Sequence, residues 1–192
     1  MADKSDAAVG RRPRADAERN RSRLLEAAKS AFAEKGSAAS LDEIARAAKV
    51  GIGTLYRHFP TRDALIETVY RHEGEQLSAA AARLCETEVP LTALREWLLL
   101  FVDYMAEKRG MLEALNSTVG GASETKAASG ARLKHAIGTL VDRAVANGDI
   151  RLEMEPVDLL YALAGVGKTT GEPKQAARGL VDILVAGMRT RG

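Results

Sequence analysis

SLDEIARAAKVGIGTLYRHF, residues 40–59, is the stretch whose reading decides the fold. Ser40 precedes an apolar stripe of Leu41, Ile44, Ala45 and Ala48, and Glu43 stands three positions on, the spacing of a capping box that fixes a helix start. Lys49, Val50 and Gly51 give that helix no strong reason to continue, and Gly51 is the residue that readily takes the positive φ of a sharp turn. A second short helix is expected from Ile52. Leu55 and Phe59, four apart, face inward on it and leave Gly53, Thr54, Tyr56, Arg57 and His58 to meet a partner. Two short helices joined by a tight turn, the second carrying polar hydrogen-bonding side chains, fit the major groove of duplex DNA.

Outward from this stretch the periodicity stays helical. Leu24, Leu25, Ala28, Ala31 and Phe32 make one face of a helix over 15–35 that Gly36 stops, so the first domain, 15–60, holds three helices. Residues 1–14 lack periodicity, contain Gly10 and Pro13, and read as a flexible basic arm whose Arg11, Arg12 and Arg14 suit a minor groove. An unstructured leader without a role is the other reading of that arm. Thr61 can cap a linker helix over 61–85. Residues 86–192 follow as a helical bundle: a helix from Pro90 ending near Gly110, a shorter piece over 111–119, a flexible stretch over 120–123, a helix around 133–147, and two closing helices opened by Pro156 and Pro173. The face expected to pack on the last helix is Ala176, Leu180, Ile183, Leu184 and Met188.

Composition supports an all-α fold. Aromatics are 4% of the chain, too few for the residue types that favour strands, while alanine, leucine, arginine and glutamate abound. No run of 18 or more uncharged apolar residues and no basic cap before an apolar core is present, which predicts neither a membrane span nor a signal peptide, and a cytoplasmic protein. Cys85 is the single cysteine, so no intramolecular disulfide forms, and it reads as a core filler. Charge is unevenly distributed: residues 1–62 hold 13 Lys+Arg against 8 Asp+Glu, net +5, and the remainder is net −3. Because phosphate binding is driven by counterion release, the basic first third suits DNA and the acidic remainder stays off it.

Residues 40–59, with the Pro-Thr-Arg-Asp-Ala-Leu that follows, resemble the DNA-binding region of the TetR repressor family. In that family a capped helix and a Val-Ser/Gly turn lead into Gly-Thr-Leu-Tyr-x-His-Phe and a Lys-x-x-Leu linker-helix opening. Arg62 stands where that lysine is usual. The motif covers 15–70, and beyond it only helix count and the paired closing helices agree. The resemblance implies a homodimer that places two helix-turn-helix units in successive major grooves of a palindromic operator, with a C-terminal bundle that binds a small-molecule effector. Ser40, Tyr56, His58 and Arg62 suit the phosphate backbone; Gly53 and Thr54 lie nearest base edges, with Lys49 and Arg57 as further contacts. A core tyrosine is the competing reading of Tyr56.

Trp97, Phe101, Tyr104, Met105, Met111 and Leu115 bring large, adaptable apolar surface to neighbouring positions, as a ligand cavity or as ordinary core, and few charges interrupt them, which predicts a mainly apolar effector. Small residues over 156–188, including Ala162, Gly165, Ala176 and Gly179, suit close helix approach across a dimer interface or within the bundle. Two other functions compete: a helix-turn-helix regulator that needs no ligand, and a nucleotide hydrolase built on Gly165-Val-Gly-Lys-Thr-Thr170. The second fails on spacing, because a P-loop requires glycine where Ala162 stands and a strand before it. His58, His72 and His135 lack companions at ligand spacing, so no metal site, catalytic residue or cofactor is expected.

Overall fold

A computed structural model describes residues 11–116, 122–166 and 173–190. Among these residues eight α-helices run in the order α1 (Arg11–Lys35), α2 (Leu41–Ala47), α3 (Ile52–His58), α4 (Arg62–Thr87), α5 (Pro90–Asn116), α6 (Ala122–Ala146), α7 (Pro156–Val166) and α8 (Pro173–Met188), with a short 3-10 turn at Gly36–Ala38. The only strand-like pairing described is an antiparallel bridge between Ile150 and Arg189. None of these helices is long and apolar enough to cross a membrane.

The described chain divides into two compact units, one of 11–69 and 110–116, the other of 70–109, 122–166 and 173–190. Residues 61–85, expected as a linker helix, fall almost wholly within α4, which gives its first two turns to the first unit and the rest to the second.

In the first unit, Leu24, Leu25, Ala28 and Phe32 of α1, Ile44, Ala45 and Ala48 around α2, Leu55 and Phe59 of α3, and Leu65, Ile66 and Val69 of α4 are buried. α1 begins at Arg11, four residues before the expected start, because Pro13 falls in the first turn, where a missing N–H costs nothing. The side chains of Arg11, Arg12 and Arg14 lie outside the described residues. The α1 stop is at Gly36, whose φ of +53 calls for glycine, and the Glu113 carboxylate lies over it, 2.8 Å from where a Cβ would stand. Ser37 Oγ donates to the same carboxylate at 3.0 Å.

α5 does not end at Gly110. It runs to Asn116 because one helical glycine costs only about 1 kcal/mol relative to alanine, and Met111, Ala114 and Leu115 are buried on the continuing period.

The second unit has a core of Leu77, Ala80, Ala81 and Leu84 from α4, Trp97, Leu98, Phe101 and Val102 from α5, Ile137, Leu140, Val141 and Ala144 from α6, with α7 and α8 closing it through Leu159, Leu163, Ala177, Val181 and Val185; Cys85 packs against it. α8 packs on a face rotated from the one expected: Ala177, Val181, Val185 and Met188 are buried, Leu180 and Leu184 pack half-covered against the core, and Ala176 and Ile183, the latter 69% exposed, lie outside it. The helix carries two apolar stripes, and periodicity alone does not say which one packs. Ion pairs tie α8 antiparallel to α5: Arg95 to Asp182 at 2.7 Å, and Asp103 to Arg178 at 2.9 Å and to Lys174 at 3.2 Å. The chain end is fastened by Arg151 N–H to the Met188 carbonyl and Thr190 N–H to the Asp149 carbonyl.

Candidate nucleic-acid interface

The turn between α2 and α3 is built by backbone hydrogen bonds. Lys49 N–H donates to the Arg46 carbonyl and Val50 N–H to the Ala45 carbonyl, both at 3.0 Å, the paired bonds of a Schellman motif. The left-handed residue is therefore Lys49, with φ 57, and not Gly51, which is extended at φ −74 and ψ 151 and forms the N-cap of α3. Lysine in that conformation is strained relative to glycine, and it leaves the Lys49 side chain exposed beside the start of α3.

α3 spans seven residues from Ile52, where the sequence places it. Leu55 is fully buried and Phe59 nearly so, with the Arg21 guanidinium over the Phe59 ring at 5.5 Å. These two anchors fix the rotation of the helix. Its other side then presents Gly53 and Arg57 in the open, Thr54 and His58 partly covered, and Tyr56 at 49% exposure. The core reading of Tyr56 is thereby set aside. No backbone or side chain stands within 4 Å of the Cβ position at Gly53, so the helix backbone is bare on that side.

Ser40 is the N-cap of α2 in extended conformation, but its hydroxyl makes no capping bond. Only the return half of the expected capping box is felt. Glu43 is held below the usual carboxylate range first by its hydrogen bond and charge interaction with Lys35, and in smaller part by the Ser40 amide. Lys35 Nζ lies 2.8 Å from Glu43 on the surface, where such a pair adds little to stability.

Arg62, expected at the phosphate backbone, is committed elsewhere. Its guanidinium donates to the Ala39 carbonyl at 2.5 Å and the Ser37 carbonyl at 2.7 Å, and sits 5.4 Å over the Phe32 ring. A planar fork with donors on two arms serves this double contact, which ties α4 to the turn after α1. Thr61 caps α4 as expected, accepting from the Ala64 amide at 3.0 Å.

Of the six apolar positions expected to line a ligand site, Trp97, Phe101, Tyr104 and Met105 belong to the second unit, Met111 and Leu115 to the first. Trp97 is fully buried, donates from Nε1 to the Leu77 carbonyl at 2.8 Å, and stacks on Phe101 with ring centroids 6.1 Å apart. It is core. Phe101 in turn meets Tyr104 at 6.3 Å. Around Tyr104 the surroundings become polar, which the sequence reading did not foresee. Lys108 donates to the Tyr104 hydroxyl, and Ser129 Oγ and Arg132 Nε are buried without hydrogen-bond partners. Tyr104 and Lys108 share a helical face, and the α6 period runs through Ser129 and Leu133, so helical spacing was the available signal. Of the P-loop-like run, Gly165 and Val166 lie in or at the end of α7 and 167–170 lie outside the described residues.

Residues 24–69 match the bacterial regulatory proteins of the tetR family, and residues 89–190 match the SbtR-like transcriptional regulator C-terminal domain. Among solved structures, the chain is similar to the TetR transcriptional regulator SCO0520 from Streptomyces coelicolor, with TM-score 0.80 and 36% identity over 90% of this chain and 99% of that one. It is also similar to a TetR transcription regulatory protein from Mycobacterium vanbaalenii, with TM-score 0.78 and 31% identity over 92% of this chain and 99% of that one. Among curated relatives, the HTH-type transcriptional repressor Rv3405c of Mycobacterium tuberculosis is 43% identical over 68 residues, 35% of this chain. That match spans about a third, 34%, of the relative's length.

Proposed function

The chain belongs to the TetR family of bacterial regulatory proteins, and on that premise we propose that it works as a homodimeric repressor that binds a palindromic operator and releases it when a small molecule binds the second unit. It is a transcriptional regulator and not an enzyme.

The observation that carries the proposal is the division of labour within α3. Leu55 and Phe59 hold the helix from inside, and the hydroxyl of Thr54, the phenol of Tyr56, the guanidinium of Arg57 and the bare Gly53 backbone are left on the outside. Thr54 and Gly53 are assigned to base edges, with Lys49 and Arg57 flanking them; Tyr56, His58 and the Ser40 hydroxyl are assigned to phosphate oxygens. The cytoplasm is the compartment this function implies.

A second protomer is supported by the outer stripe of α7 and α8. Tyr161 is 68% and Ile183 69% exposed, and around them Ala162, Gly165, Ala176 and Gly179 are exposed too. Large apolar side chains set among small residues on adjacent helices suit a close, twofold-related helix contact.

Two half-sites must lie about 34 Å apart, one duplex turn, for both recognition helices to dock. An effector that binds the DNA-free arrangement more tightly shifts the equilibrium away from that spacing, and one with equal affinity for both arrangements shifts nothing. The test is selection of bound sequences from random DNA with the purified protein. An enriched palindrome is expected. Thr54→Ala and Tyr56→Ala should each weaken binding to it about tenfold, by roughly 1–3 kcal/mol for a lost base or phosphate contact, with the dimer intact by sedimentation. No enriched sequence, or undiminished binding by both variants, sinks the assignment.

A further inference from the structure

The core of the second unit changes character along its length. On α4, α5 and α6 the apolar residues Leu77–Leu84, Ala93–Val102 and Leu133–Ala144 face one another. One turn beyond, the same faces carry Tyr70, Glu73 and Gly74 on α4, Tyr104 and Lys108 on α5, and Lys126, Ser129 and Arg132 on α6. The Lys108 ammonium lies 4.2 Å from the centre of the Tyr70 ring and 4.5 Å from that of Tyr104, and donates to the Tyr104 hydroxyl. Among the described residues no carboxylate is within ion-pair distance of it. Ser129 is the one buried polar residue described, at 0% exposure, and its Oγ has no partner; nor has Arg132 Nε. Gly74 lets these groups converge: a Cβ there would stand 3.2 Å from Ser129 Oγ and 3.9 Å from the Tyr104 hydroxyl.

A half-buried cation with no counter-charge in contact, beside a fully buried hydroxyl and a buried guanidinium nitrogen that both lack partners, is costly and does not arise from packing needs. The donors left over are countable. Ser129 has one hydroxyl proton and Arg132 one Nε proton; Tyr104 accepts from Lys108 and so keeps its own proton to give, and the ammonium has N–H groups to spare. A carboxylate, with two oxygens and about four lone-pair sites, matches that number and supplies the missing charge. We propose that the effector of this regulator is a small organic acid whose carboxylate is held by Lys108, Tyr104, Ser129 and Arg132. The mainly apolar effector expected from the sequence is thus given an acidic head. The inference rests on the regulator reading above and deepens it.

Burial, and in smaller part the charge of Lys126, pushes Lys108 down to about 8, while the two tyrosine faces favour its charged form. Burial raises both phenols, Tyr70 to about 12, so they stay protonated as donors. Glu73 from α4 and Arg132 from α6 also act on Tyr104 with opposite signs. An arriving anion keeps the ammonium protonated to higher pH.

The experiment is calorimetry on the full-length protein, free of DNA, with straight-chain and aryl monocarboxylates of increasing apolar length, each paired with its own primary amide. At least one acid should bind about tenfold or more tightly than its amide, the size expected of a hydrogen-bonded charge contact. Lys108→Met should abolish that preference and Ser129→Ala reduce it. Near pH 8.5, binding to the wild type should take up protons, read from buffers of different ionisation enthalpy, and binding to Lys108→Met should not. If no acid outbinds its amide, or if Lys108→Met and Ser129→Ala both keep the preference, the proposal is overturned. Inorganic phosphate binding alone, with no acid bound, overturns the carboxylate assignment. Operator selection uses wild-type protein without acid, so the two readings fail separately.

Discussion

Arg62 in the first unit and Lys108 in the second are both cations laid over aromatic rings, and they differ in what else they touch. Arg62 adds two backbone carbonyls to its ring contact, so its donors are answered by the fold itself. Lys108 adds only a tyrosine hydroxyl, and its neighbours Ser129 and Arg132 keep unanswered donors. A planar fork whose donors are met is a fastening. A half-buried ammonium whose environment stops short of a counter-charge is the seat proposed above, and the difference separates a residue that holds the structure from one suited to binding an anion.

Removing the fastening has the largest expected effect. Arg62→Ala should lower the stability of the first unit by about 2–4 kcal/mol, since it unpairs the buried Ala39 carbonyl and removes two charge-assisted bonds. Urea denaturation followed by circular dichroism reads it. Arg62→Lys, which keeps the charge but not the fork, should recover less than half. An unchanged midpoint for Arg62→Ala would erase the contrast.

Removing Lys108 should do the opposite. Lys108→Met is expected to stabilise the ligand-free protein at pH 7 by about 1–3 kcal/mol, because each unit of depression is worth about 1.4 kcal/mol and the ring contacts offset part of it. The folded-state value of about 8 lies below the ordinary 10.5, so the ammonium's cost is fully present below pH 8 and fades as pH rises towards 10.5. The gain from Lys108→Met should fade over the same window in thermal melts at stepped pH.

Smaller effects sharpen the same distinction at two helix ends. α6 closes like α2: Gly148 N–H donates to the Val145 carbonyl and Asp149 N–H to the Ala144 carbonyl, with Gly148 at φ 79. There glycine is the residue the geometry asks for, and Gly148→Ala should cost about 1 kcal/mol. At Lys49 the same geometry carries a lysine. Lys49→Gly should therefore stabilise by about 0.5–1 kcal/mol while weakening DNA binding, if the strain is kept for the sake of a cation beside the recognition helix. Denaturation midpoints and operator titration at one fixed salt concentration measure the two arms.

The helix-turn-helix could be read from sequence because every decisive feature in it is local. Stripe spacing and the Leu55/Phe59 pair place α3 without knowledge of any distant contact. Within the helix-turn-helix, glycine preference pointed to Gly51 for the left-handed turn residue that is Lys49; most of what else escaped was set by partners far along the chain. Arg62 looks like any exposed cation at a helix start until Ser37 and Ala39 fold beneath it. Gly110 looks like a stop until the residues beyond it are buried. α8 has two apolar stripes, and only its neighbours choose between them. The polar end of the second core is spread over α4, α5 and α6, more than fifty residues from Tyr70 to Arg132, so no single window shows it.

The ion pairs between α5 and α8 have a consequence for assembly. Along α5 the signs run Arg95 then Asp103, and along α8 Lys174 and Arg178 then Asp182, so the antiparallel match holds at one offset. Sliding α8 by a single turn in one direction would set Arg178 against Arg95, and by two turns in the other would set Asp182 against Asp103. Hydrophobic stripes of similar residues tolerate such slippage; a sequence of opposed charges does not, and it serves as a vernier that keeps the outer stripe of α8 at one height on the bundle.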